Sequence, residues 1–294
     1  MSQEKPVNSD LQSALKPFLK SLGLNLPAIL DGLTVLQTYA ERLALTLAPL
    51  AQIDWAATKR RLDEVEELPT KSKKAMDLAS SKGWFFGWHE SSLQELMALV
   101  EKLEGIEEPC IDEFMRQYYR DNLQLLTDKL VERRPNRASV IKAAVRAHGT
   151  LGTDGYFLSI PVFIAQADGL LAEIASEITG KKSATINTSS RALTEKLGKD
   201  QESLDLIHPI PIMSKLDFMK SACEREKAAQ ASGESFTALN RHQVMHGESW
   251  DYGTEINSLK TFSFLAFVGL HLPMILEFEE TMPDAERARR AGCS

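Results

Sequence analysis

Apolar residues recur three and four positions apart in segment after segment of this 294-residue chain, while alternating β-branched runs bounded by turn pairs are nearly absent. A period near 3.6 marks amphipathic helix and a period of 2 marks a half-buried strand. The expected fold is therefore all-α, a helical bundle. The pattern predicts helices over residues 10–21, 27–48, 52–67, 91–104, 110–131, 137–149, 160–179, 212–231, 236–246 and 255–280. Turn-forming residues separate them at "LPTKSKK" (68–74), "SSKGWFFGW" (80–88), "GTLGTDG" (149–155) and "TGKKSATINTSS" (179–190). A soft boundary at "EGIEEP" (104–109) divides an N-terminal helical region, 1–104, from a C-terminal bundle, 105–282, with a flexible tail over 283–294.

Composition narrows the classes of function. With 43% apolar residues the chain can bury a sizeable core, and a net charge of −7 argues against a dedicated DNA binder, because nucleic acid would have to be held by a local basic patch. Cys110, Cys223 and Cys293 lie far apart with no CxxC pair, which suits a reducing, cytoplasmic compartment. The first residues, "MSQEKPVNSDLQ", lack the apolar core of a signal peptide. The longest apolar run, Phe262 to Leu276, is interrupted by Ser263, His271 and Pro273 and is shorter than the ~20 residues that span a bilayer. It reads as a buried helix, and no membrane partner is expected.

Four stretches carry chemistry. In "GWFFGWH", Trp84, Phe85, Phe86, Trp88 and His89 form the densest aromatic cluster. Such rings can stack on unpaired bases, but more often they pin a loop to a core. "RRPNRASVIKAAVRAH" holds Arg133, Arg134, Arg137, Lys142 and Arg146 without an acid; Arg137, Lys142 and Arg146 are candidate phosphate contacts, or else cations of a solvated helix. Gln166 and Asp168 interrupt the apolar "SIPVFIAQADGLLAEI" and are expected either to face solvent or to join a satisfied core network.

The fourth stretch, "LNRHQVMHGESWDYGTEINSLK", concentrates Arg241, His242 and His246 in a chain with six histidines. On an ideal helix these three fall at about 0°, 100° and 140°, one broad side, with Gly247 closing the helix. His242 and His246 have the i, i+4 spacing of a metal pair, although Gln243 and Val244 leave no HExxH general base between them and Arg241 would repel a cation. Alternatively, a histidine titrating near neutrality can move the proton of a ribose hydroxyl while an arginine holds the developing charge, with no metal. The plain alternative is a helix C-terminus decorated with cations that favour the helix dipole.

The segment "RHQVMHG", followed by a polar turn and a long apolar helix, resembles the R-x4-6-H motif of the HEPN superfamily at Arg241, His242 and His246. The surrounding residues resemble bacterial helical proteins of this kind, some associated with abortive-infection defence; the match covers about the last 60 residues, with a weaker similarity around "SIPVFIAQADGLLAE". The resemblance implies a helical bundle and a metal-independent, cofactor-free ribonuclease that leaves a 2′,3′-cyclic phosphate. It makes His246 the acid/base catalyst, Arg241 the phosphate clamp, His242 an orienting neighbour and Asn240 a weaker substrate contact. Glu248 and Asp251 are expected to orient a histidine rather than touch RNA. Other members of the superfamily have lost activity, so a non-catalytic sensor or scaffold remains the alternative.

A homodimer is also expected. Arg and His five positions apart lie about 140° apart on a helix and clamp poorly alone. No second R-x4-H occurs in the chain, since Lys142 follows Arg137 and Leu151 follows Arg146 at that spacing. A composite site would borrow its other half from a second copy, with the apolar helix over 254–280 offering surface for the contact.

Overall fold

The computed structural model describes residues 37–38, 54–88, 93–180, 186–197 and 201–281, and among these every regular element is helical. The helices expected over 10–21 and 27–48 therefore lie outside the described residues apart from Gln37 and Thr38, as do His89 and Cys293. Cys110 and Cys223 are exposed free thiols.

The chain divides into two compact units, Met1–Glu64 and Val65–Ser294. The division falls ahead of the break expected at 104–109, because Leu68, Met76, Trp84, Phe85, Leu96 and Leu103 enter the same core as the C-terminal helices. Helix α1, Trp55–Ser81, runs through "LPTKSKK" with Pro69 inside it. An interior proline costs about 3 kcal/mol, but Leu68, Ser72, Ala75, Met76 and Ala79 form one buried stripe across it, so burial outweighs the breaker.

Helices α2 (Leu93–Glu104), α3 (Ile111–Arg133) and α4 (Ala138–Thr150) follow the predicted periodicity closely. Helix α5, Gly152–Thr179, begins well before residue 160, since only Leu151 separates it from α4, and it carries Pro161 within its first half. Next come α6 (Ile186–Leu197), α7 (Gln201–Leu206), the single turn α8 (Pro209–Ile212), α9 (Ala222–Ser232) and α10 (Arg241–Met245). Helix α11, Glu255–Ala266, continues through a π-helical turn, Phe267–His271, into α12, Leu272–Thr281. The helix expected over 212–231 is instead two 3-10 turns followed by α9, which starts where Ser221 and Glu224 form a reciprocal capping box.

The centre of the unit is α5 packed against α4, α6 and α11, with α3 against α11 and α4. Leu259 and every residue from Thr261 to Leu272 are buried, so the closing helix is enclosed within one chain. That corrects the expectation that it doubles as a dimer surface. By length and composition Gly152–Thr179 and Glu255–Glu277 are each apolar enough to cross a membrane, so the second is longer than the uninterrupted run suggests; 83% of its apolar window is packed inside the protein, against 44% for the first.

The aromatic cluster pins a loop. Trp84 donates from Nε1 to Asp112 at 2.7 Å and stacks on Tyr119, whose hydroxyl donates to the Phe85 carbonyl. The Phe85 ring lies against Phe218, Phe264 and Phe267. Of the two readings open for these residues, the structure gives the core anchor: Trp84, Phe85 and Phe86 are fully buried.

Candidate functional site

The site starts from Asn240. Its backbone is extended, and its Oδ1 accepts the N–H of Gln243 at 3.1 Å, which opens α10 one residue later. The segment 236–240 is therefore not helical, and α10 is a single turn rather than the end of a longer helix. Gly247 closes it with φ 70°, as the sequence suggests.

The same Oδ1 accepts a second bond from Arg225, and Nδ2 donates to the carbonyls of Asp217 and Lys220. All four hydrogen-bonding positions of the amide are thus taken, and Asn240 is 2% exposed. It sits beneath the site as a brace, not on the surface where a substrate contact belongs. Arg225, itself buried, reaches past it to form an ion pair with Glu248. Asp251 accepts the Ser249 hydroxyl. Neither carboxylate hydrogen-bonds a histidine, contrary to the expectation for these two residues.

Arg241 lies at the first position of α10 and donates from Nε (2.7 Å) and Nη2 (2.5 Å) to one oxygen of Asp168 on α5. The pair is mostly enclosed, with side-chain exposures of 22% and 17%. The other Asp168 oxygen is buried and has no donor. Burial pushes the Asp168 carboxyl above its usual range, and Arg241 opposes that shift without cancelling it. Asp168 thus belongs to a network, but one left half satisfied, at the site itself.

Arg241 also approaches His242 Nδ1 through Nη1 at 3.3 Å. A guanidinium only donates, so Nδ1 must accept, and the neutral His242 ring carries its proton on Nε2. Burial, then the charge of Arg241, also holds His242 below the usual imidazole range. His246 is exposed and stacks on His242 with centroids 6.1 Å apart and planes 9° from parallel. Two imidazoles stacked in this way do not aim their nitrogens at one shared point. Among the described residues no three His, Cys, Asp or Glu side chains gather as a metal site.

The structure does not bring Arg137, Lys142 and Arg146 to this site. Arg137 donates to Gln166 at 2.7 Å and pairs with Glu173. Gln166 and Glu173 share one side of α5, whereas Asp168 lies roughly 140–160° round the helix from them. Arg137 and Arg241 therefore grip nearly opposite sides of α5. With Arg133 and Arg134, Arg137 borders a separate cavity of about 470 Å³. Lys142 and Arg146 are exposed on α4, beyond its buried face of Ile141, Ala144 and His148.

Sequence reading missed Arg225 altogether and noted Asp168 only as a polar interruption. The one local signal was Asp168 itself, a carboxylate among residues that line a core. Neither a family model, nor a curated protein, nor a solved structure matches the chain.

Proposed function

We propose that the chain is a metal-independent endoribonuclease of the HEPN type, acting in bacterial defence by cutting RNA. The observation that supports this most is Arg241. Three of its five N–H groups are committed to Asp168 and His242, which leaves two on a fixed guanidinium that meets the ring on which His246 stacks. His246 takes the proton of a ribose 2′-hydroxyl, the 2′-oxygen attacks phosphorus, and the bond to the 5′-oxygen breaks. The free N–H groups of Arg241 hold the phosphoryl oxygens as charge builds, and the products are a 2′,3′-cyclic phosphate and a 5′-hydroxyl. His242 orients both neighbours, through the bond from Arg241 and the stack with His246. A second copy supplies the group that protonates the leaving oxygen.

Cleavage of unpaired RNA should persist in excess EDTA, and a 2′-deoxy substitution at the cut should block it. His246→Ala and Arg241→Ala should each lower the rate by ~100-fold or more. Loss of activity in EDTA, restored by zinc or manganese, would replace this mechanism with the His242–His246 metal pair.

The ion pair to Asp168 also favours a second reading, a non-catalytic bundle in which Arg241 is only a structural tie. In that case His246→Ala leaves both the RNA and the protein's behaviour unchanged.

A further inference from the structure

Trp250 is 84% exposed, the most open large apolar side chain among the described residues. It gains nothing in the fold, yet the loop that carries it is tied at both ends. On one side the N–H groups of Glu248 and Ser249 both donate to the Gln243 carbonyl, at 2.8 and 3.2 Å, and Glu248 is gripped by Arg225. On the other, Tyr252 packs edge-on against Phe157 with centroids 5.1 Å apart, and Gly253 lies so close to Phe157 that a Cβ there would sit 2.3 Å from the ring. The Tyr252 carbonyl accepts from Asn257 at 3.0 Å. A ring held out between two fixed anchors is presented to something.

Trp250 follows His246 by four positions, so their Cα atoms are at most ~14 Å apart, and the Gly247 turn shortens that. We propose that Trp250 is the stacking platform for an unpaired base close to the cut, so that the site selects single-stranded over paired RNA. The assignment rests on the reading that Arg241 and His246 act on RNA.

The neighbours of the ring favour a base over a protein. Gly247, Glu248, Ser249 and Asp251 give the loop a polar and acidic rim, whereas a ring that docks into a protein is bordered by further apolar surface. A nucleobase offers one flat π-face with polar edges, which fits a lone ring in such a rim. Asp251 repels phosphate, so the strand would lie with its base over Trp250 and its backbone turned toward Arg241.

The test uses the full chain and a short oligoribonucleotide, 2′-O-methylated so that it has no nucleophile, both unpaired and annealed to its complement. Titration should quench tryptophan fluorescence with the unpaired strand, and Trp250→Ala should abolish the quench and weaken binding about tenfold or more, with Trp250→Phe keeping most of the affinity. Binding of the duplex should be weak and unaffected by either change. Equal affinity of wild type and Trp250→Ala for the unpaired strand overturns the assignment, and if unmodified RNA is still cut it does so without touching the nuclease reading. A quench with no cleavage of unmodified RNA keeps Trp250 as a base platform and overturns the nuclease. Conversion of a dimer to a monomer by Trp250→Ala places the ring against a second copy and overturns the proposal.

Discussion

Arg241 and Asp168 meet through a single carboxylate oxygen, reached by Nε at 2.7 Å and Nη2 at 2.5 Å, while the second oxygen of Asp168 is buried without a donor. The pair joins α10 to the central helix α5 and fixes the guanidinium in one orientation. Asp168→Ala should lower stability by about 1–3 kcal/mol in urea unfolding, because it leaves Arg241 partly enclosed and unpaired. Adding Arg241→Ala to Asp168→Ala should cost little more, a coupling of at least about 1 kcal/mol. Additive losses would mean that the two side chains do not depend on each other. In the cleavage assay, Asp168→Asn should lower kcat more than it raises KM, since it loosens the clamp without removing it.

Asn240 distinguishes a brace from a contact. Its side chain caps α10 and occupies Arg225. Asn240→Ala should therefore cost about 2–4 kcal/mol, one part for the lost cap and one for a buried arginine left short of an acceptor. A residue that merely touched RNA would change affinity and leave the unfolding midpoint in place.

How much of this was legible follows from which interactions are local. Helices α2, α3 and α4 could be read from periodicity because their buried faces recur within one segment and Pro109 and Pro135 mark starts. The Thr, Asn and Ser of α6 suggest a loop, yet Ser189, Ser190, Leu193 and Leu197 form a buried face at helical spacing, with the Ser190 hydroxyl bonded to the Ile210 carbonyl. The capping box at Ser221 and Glu224 is a local signal, S-x-x-E, that marks the start of α9. The pairing of Arg241 with Asp168 spans 73 positions and that of Arg225 with Glu248 spans 23. No periodicity reports such pairs; they exist only once α5 and α9 have packed.

His271 sets an acid limit on stability. The ring is fully buried, Nδ1 accepts the N–H of Trp88 at 3.0 Å, and Nε2 therefore donates to the Leu206 carbonyl at 2.6 Å. The Gly87 backbone packs so closely on it that a Cβ at that position would lie 2.3 Å from the ring. Burial lowers its pKa from 6.5 to about 4. Between those values the unfolded chain binds the proton and the folded chain does not, so stability is whole above pH 6.5 and falls as the pH drops toward 4. The loss is on the order of 3 kcal/mol, about 2.5 pH units at ~1.36 kcal/mol each. His148, held low mainly by burial beside Ser258, adds to the same slope. Urea midpoints measured from pH 7 to pH 4 should fall more steeply for wild type than for His271→Gln. Parallel slopes would remove His271 as the cause.

The final expectation is a homodimer, and the structure moves its surface. With the closing helix enclosed, the exposed apolar candidate is α5: Leu158 is 57% exposed, Leu151 at its N-terminus is 53% exposed, and Val162 and Ala165 lie half-buried on the same side. Asp168 is about 80° round the helix from Leu158, so a twofold contact along that stripe sets two Arg241–Asp168 pairs at its rim. One copy offers His246 as the single exposed histidine of the motif, because His242 is half-buried with its Nδ1 turned to Arg241. Proton removal at one oxygen and donation at another then need two copies. Sedimentation at micromolar concentration should give twice the 32.7 kDa chain mass. Leu158→Glu should give monomers that keep their unfolding midpoint and lose cleavage together with dimerisation. Mixing Arg241→Ala with His246→Ala chains should restore no activity, as a mixed dimer keeps one His246 where proton removal and donation need two. A fully active monomer, or a dimer indifferent to Leu158→Glu, would move the second proton donor back into one chain or the contact away from α5.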